Sequence, residues 1–161
     1  MSEIQKVSIN DFKTDSGALY KSIDLFFQHF GKEYDKAPVV LVNHSLTGDS
    51  NVSGKKGWWS GIIGPRMTID TDYYSVLAFN IPGNGFKGSK IKKHDDFNTG
   101  DVARLFYKGL KILGITKLFA IIGGSIGGSI VWEMGALYPS FSKYLIPVAS
   151  DWKASDWIIA N

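Results

Sequence analysis

An α/β fold, with a mostly parallel sheet and helices on both faces, is what this sequence predicts. Three observations carry the prediction. Short apolar runs rich in β-branched residues recur along the chain, helical periodicities lie between them, and a serine framed by glycines sits where one such run turns into a helix. The 161 residues suit one domain, 1–161, with a core of its own.

The elements follow in order. KVSINDF and ALYKSIDLFFQHFG flank the turn sequence TDSG and predict a half-buried hairpin from the alternation around Val7 and Ile9. VVLVNH (Val39 to His44), YYSVLAFN (Tyr73 to Asn80), KLFAIIG (Lys117 to Gly123) and KYLIPVAS (Lys143 to Ser150) are continuous apolar runs. Such runs are expected of strands covered on both faces. Between the second and third, Val102, Leu105, Phe106, Leu110 and Leu113 recur at helical spacing, with Thr99 placed to cap the start. A further helix runs through Ser129 to Tyr138 and stops at Pro139.

Composition excludes several functions. The chain is 44% hydrophobic and 20% charged, with net charge +3, too mild an excess to indicate nucleic-acid binding. It has no cysteine, which removes disulfides and thiolate chemistry and fits the cytosol. The opening MSEIQKVSIN has no apolar signal core, so a cytoplasmic location is expected. Lys117 and Glu133 bracket an uncharged run from Leu118 to Trp132, shorter than the roughly 20 residues a membrane span needs.

Three motifs compete for the chemistry. GNGFKG (Gly83 to Gly88) satisfies G-x-G-x-x-G, but Pro82 precedes it and polar SKIKKHDDFN follows, so a glycine-rich turn is favoured over a dinucleotide site. Lys55, Lys56, Lys87, Lys90, Lys92 and Lys93 would steer phosphates such as those of a coenzyme A ester, yet a solvated loop face is the better reading. His94 beside Asp95 and Asp96 lacks the spacing that brings ligands onto one ion, and no metal is expected.

The third motif is Gly123-Gly124-Ser125-Ile126-Gly127, set between a strand and a helix. This is the nucleophile-elbow arrangement: a tight corner that lifts the serine hydroxyl above the sheet edge. At a helix N-terminus, free backbone N–H groups face a developing oxyanion. Ile126 N–H is the expected first donor, and Leu46 N–H, in the loop leaving the first buried strand, is the candidate second. His44 precedes the nucleophile, so its expected role is to hold that loop by hydrogen bonds.

HSLTGDSNVSG, then GWWSGIIGPRMTIDTDYYSVLAFN, then GGSIGG resemble in order the homoserine O-acetyltransferase family of α/β-hydrolase-fold acyltransferases. The family patterns are H-A-L-T-G-D, G-W-W…G-P-G…I-D-T-D-x-Y-x-V and G-G-S-M-G-G. Ser45, Arg66 and Ile126 depart from them, standing for alanine, glycine and methionine, and IPGNGFKGS is unlike the family's turn. The resemblance covers the chain from about Pro38 onward.

It implies an α/β-hydrolase fold with Ser125 as acyl-accepting nucleophile and Leu46 and Ile126 as backbone oxyanion donors. It implies acetyl-CoA as acyl-donor substrate, no bound cofactor, homoserine as acceptor, and a homodimer for a full-length parent. Esterase chemistry on the same fold, or a non-catalytic binding half-domain, are the alternatives. On this fold the acid and histidine follow the serine, but His29, His44 and His94 all precede it. Asp151 comes earlier than the family's acid, and Asp156 lies in DWKASDWIIAN, which suggests an opening helix. The chain is therefore expected to be the N-terminal portion of a catalytic domain, truncated after the strand that follows the nucleophile helix.

Overall fold

A computed structural model of the chain describes residues 2–86, 91 and 93–153. Strand β1 (Gln5–Lys13) and strand β2 (Leu19–Gly31) form the expected antiparallel hairpin, in register at Ile9 and Ile23. Its turn closes through Thr14 and Gly17, and Gly17 adopts φ +91°, a conformation costly for residues with a Cβ.

The remaining strands are β3 (Val39–Asn43), the short pair β4 (Ile63–Gly64) and β5 (Ile69–Asp70), β6 (Ser75–Phe79), β7 (Leu118–Gly124) and β8 (Ser142–Val148). The main sheet has the order β1-β2-β6-β3-β7-β8. β2 meets β6 antiparallel, whereas β6, β3, β7 and β8 run parallel. Parallel neighbours need crossovers, and helices α1 (Thr99–Ile112) and α2 (Ile126–Leu137) provide two of them. The crossover geometry brings the C-terminal ends of β3 and β7 side by side, with Asn43 opposite Gly123.

Helix α1 begins one residue earlier than Thr99 implies. Asn98 is the cap: its side chain accepts the Asp101 N–H, and the Asp101 carboxylate accepts the Asn98 N–H. Asp101 is fully buried, yet Asp15 N–H and Arg104 also donate to it, so its charge is compensated.

Two further expectations need correction. Both helices contribute to one core, which contains Leu41, Leu77, Phe79 and Ile121 from the strands. The opposite face, with Val40, Val42, Val76 and Ile122, is covered by Val52, Trp59 and Ile63 from the β3–β6 connection. Among the described residues, then, helices lie on one face rather than on both. β8 is also not buried: Tyr144, Leu145, Ile146 and Val148 are all exposed, because among the described residues β8 is the last strand of the sheet and no strand pairs with its outer edge.

Arg66, which stands where the resembling family has glycine, adopts φ +60° between β4 and β5. Its N–H donates to Asp70 Oδ1 at 2.9 Å, which anchors the turn against the cost of a left-handed side-chain residue.

Candidate active site

The corner between β7 and α2 is built from steric necessity. A Cβ on Gly123 would sit 2.3 Å from Gly127 O, and one on Gly127 would sit 2.4 Å from Asn43 O and 2.7 Å from His44 O. A Cβ on Gly128 would meet Ser150 Cβ at 2.5 Å. Gly124 has ordinary space, with Trp59 at 3.9 Å, so three of the four glycines are sterically required and the fourth is not.

Ser125 sits at the apex with φ 54° and ψ −124°, a strained conformation for a residue with a side chain. Its N–H donates to Val148 O at 3.0 Å, tying the corner to β8. The side chain does not cap α2, makes no hydrogen bond among the described residues, and is exposed. The hydroxyl is thus free for an incoming group.

Both candidate oxyanion donors border one cavity: Leu46 and Ile126 lie in its wall. Among the described residues neither backbone N–H has an intramolecular acceptor, as expected at the first turn of a helix and at an open loop. The loop carrying Leu46 is held from below. Ser50 N–H donates to Asn80 Oδ1 at 2.9 Å, Asn80 Nδ2 donates to Ser50 Oγ at 3.1 Å, and Ser50 Oγ donates to Gln28 Oε1 at 2.8 Å. Ser50 and Asn80 are fully buried, and this network was not anticipated from the sequence. Its one local sign is a polar residue, Asn80, closing an otherwise apolar strand run. Asn43 adds a further tie, its Nδ2 donating to Gly127 O at 3.4 Å.

His44 has the loop-holding role expected of it. Nε2 accepts the Ile81 N–H at 2.9 Å, so the ring proton lies on Nδ1, which donates to Ser45 O at 2.6 Å. Burial lowers its pKa, against smaller opposing effects from the Ser45 carbonyl and the Asp49 charge. A buried histidine held neutral binds fewer protons than its unfolded counterpart once the pH falls below about 6.5. Its stabilising contribution is therefore complete above that value and is lost as pH falls from it toward the lower folded pKa. The urea midpoint should drop between about pH 7.5 and 5.5, and drop less in His44→Gln. Equal drops in both proteins would remove His44 as the cause.

Neither other histidine reaches the serine. His29 Nε2 meets Lys32 O and Ser75 Oγ, and His94 is exposed beside Asp95. Asp151 is exposed, and its carboxylate accepts the Trp152 N–H. Asp156 and the helix expected around it lie outside the described residues, as do Lys87, Gly88, Lys90 and Lys92. Gly83 and Gly85 have positive φ in the turn that follows β6, and the rest of that motif lies outside the described residues. Lys55, Lys56 and Lys93 are exposed. Among the described residues no cluster could hold a metal ion, and no helix is long and apolar enough to cross a membrane.

Comparison with known proteins agrees with the fold. Residues 38–157 match the family model described as the alpha/beta hydrolase fold. A homoserine O-acetyltransferase of Methanocorpusculum labreanum is 35% identical over 84% of this chain and 31% of its own length. One from Corynebacterium efficiens is 32% identical over 94% of this chain and 43% of its own length. The crystal structure of esterase E22 superposes with a TM-score of 0.87 and 26% identity, covering 99% of this chain and 50% of that one. The chain thus spans about a third to two-fifths of the length of these curated relatives.

Proposed function

This chain belongs to the α/β-hydrolase fold family, and from that premise we propose that it carries the nucleophile half of a serine O-acyltransferase. The reaction is transfer of an acetyl group from acetyl-CoA to the hydroxyl of homoserine, a step of methionine biosynthesis. The observation that carries the proposal is the Ser125 hydroxyl, exposed on a strained corner and without a hydrogen bond among the described residues, with Ile126 next in the chain and Leu46 in the wall of the same cavity as Ile126.

In this mechanism Ser125 Oγ attacks the thioester carbonyl as a base removes its proton. The carbonyl oxygen becomes an oxyanion that the Leu46 and Ile126 N–H groups stabilise. The carbon–sulfur bond breaks, the thiol leaves with a proton, and the acetyl group rests on the serine. The homoserine hydroxyl then attacks the ester, its proton passes to the base, and Ser125 is regenerated. The base and its orienting carboxylate are assigned to a histidine and an acid outside the described residues, in the order this fold uses.

The 161-residue chain by itself is expected to show only background transfer, unchanged by Ser125→Ala. Turnover that this substitution abolishes would require a base within the chain, such as His44. The identity of the reaction is tested by reading the source transcript beyond the Asn161 codon and assaying the encoded polypeptide. An Asp and then a His in frame are expected, with acetyl transfer to homoserine that Ser125→Ala lowers at least about 10⁴-fold. Acetyl-ester hydrolysis indifferent to homoserine would favour the esterase reading, which the likeness to esterase E22 supports. A stop codon at that point would overturn the catalytic reading in favour of a binding half-domain.

A further inference from the structure

A cavity of about 510 Å³ lies between the end of β2 and the connection from β3 to β6. Its wall holds Lys55, Lys56 and His29 but no carboxylate. Among the described residues neither lysine makes an ion pair. Of the acids nearby in sequence, Asp49 Oδ1 accepts the Asn51 N–H at 2.7 Å, and Asp70 Oδ1 accepts those of Arg66 and Asp72, each at 2.9 Å. Asp72 is exposed and outside the wall. The two lysines, which the sequence suits to a solvated loop, therefore border a concave surface without a counter-charge.

The loop that presents them is held tightly. Gly54 takes φ +82°, and the Gly57 N–H closes a turn on Gly54 O at 2.9 Å. A Cβ on Gly57 would lie 2.3 Å from Ser53 N, so the turn is packed to its limit. Asn51 Nδ2 donates to Lys56 O at 3.1 Å, and the Trp58 N–H donates to Asn51 O at 3.2 Å. Within the turn, the N–H groups of Gly54, Lys55 and Lys56 find no acceptor among the described residues. Thr71 is an independent sign. It borders the cavity and is only 8% exposed, yet its hydroxyl has no hydrogen-bond partner among the described residues and is not sealed off. A hydroxyl so nearly buried is ordinarily satisfied, by protein or by something bound.

We propose that this cavity binds the phosphate group of a small phosphomonoester. Lys55 and Lys56 supply charge, Thr71 Oγ1 donates a hydrogen bond, and the N–H groups of the turn are further donors. The volume is well over tenfold one water's share of about 30 Å³, which leaves room beside Phe30 for the organic part of the ester. The site is separate from the acyl-transfer corner. β2 lies three places from β7 in the sheet order, roughly 14 Å at the usual strand spacing. Gly31 also pairs with Ser75 at the start of β6, whereas Ser125 follows the C-terminal end of β7.

The test titrates the ¹⁵N-labelled 161-residue chain with sodium phosphate, with glycerol 3-phosphate and, separately, with coenzyme A, sodium chloride holding the ionic strength constant. The Gly54, Lys55 and Lys56 amide resonances should shift saturably with the first two. Lys55→Gln, Lys56→Gln and Thr71→Val should each weaken binding about fivefold. Lys111→Gln, an exposed lysine of α1, should leave it unchanged. Circular dichroism checks each fold, and the two surface lysine variants decide the matter should Thr71→Val not fold. Shifts that never saturate would overturn the proposal, as would equal weakening by Lys111→Gln and Lys55→Gln, since either marks diffuse attraction. Coenzyme A moving these amides together with that of Ile126, while glycerol 3-phosphate moves none, would overturn it too. The phosphate would then belong to the acyl donor. These titrations involve neither Ser125 nor a catalytic base, so failure of the acyl-transfer reading leaves their outcome untouched.

Discussion

Gly127→Ala is expected to lower the free energy of unfolding by about 3 kcal/mol or more, although alanine is the better helix former. By propensity alone, the exchange within a helix would stabilise by about 1 kcal/mol. The sign reverses because the new Cβ would lie 2.4 Å from Asn43 O and 2.7 Å from His44 O. Both are backbone atoms at the end of β3, so no side chain can rotate away. Relief requires α2 to move off the sheet, which carries the Ile126 N–H away from Leu46. Urea unfolding followed by tryptophan fluorescence measures the loss. Gly124→Ala is the internal control, because its Cβ meets nothing closer than Trp59 at 3.9 Å. Equal losses in the two variants would show that the close approach of α2 and β3 is not what the glycine serves.

Phe79→Ala should cost about 3–5 kcal/mol, a large share of the 5–15 kcal/mol typical of a whole domain. Phe79 is fully buried at the end of β6, with ring centroids 5.7 Å from Phe27 and 5.1 Å from Phe106. Gly109 of α1 is shaped to it: a Cβ there would lie 3.0 Å from Phe79 Cζ and 2.7 Å from Leu25 Cδ2. With helix and sheet already this close, the neighbours collapse poorly into the space a lost ring leaves. The effect reaches the site, since the next residue, Asn80, anchors the loop that carries Leu46. Thermal unfolding should shift strongly downward, and a loss under about 1 kcal/mol would mean that the core refills the cavity.

The corner that carries Ser125 was legible before the structure, for a local reason. A strand-to-helix corner at Ser125 needs glycine where the backbone of β3 approaches, and Gly123 and Gly127 announce it. The strand runs were legible because β-branched, apolar stretches have few other uses in a soluble chain. Burial was less so. KYLIPVAS has the same texture as VVLVNH, yet β3 is wholly buried while β8 is largely exposed. Texture reports what a strand is suited to, whereas burial depends on what lies beside it. The α1 cap differed by one residue because Asn98 and Thr99 are both able caps, and the reciprocal bond with Asp101 selects Asn98.

By itself the sequence determined the order of the main-sheet strands and of the two helices, the place of the corner, and the identity of the serine at its apex; the short pair β4 and β5 was not read from it. These follow from periodicity, chain stereochemistry and the steric cost of a Cβ, which act over a few residues. Only the tertiary structure decided that Asn80, Ser50 and Gln28 lock the Leu46 loop, that His44 is held as one neutral tautomer by Ile81, and that an apolar cavity adjoins both N–H donors. Each depends on groups brought together from distant parts of the chain, and a hydrogen bond or a cavity wall exists only once the fold has set the distance between them.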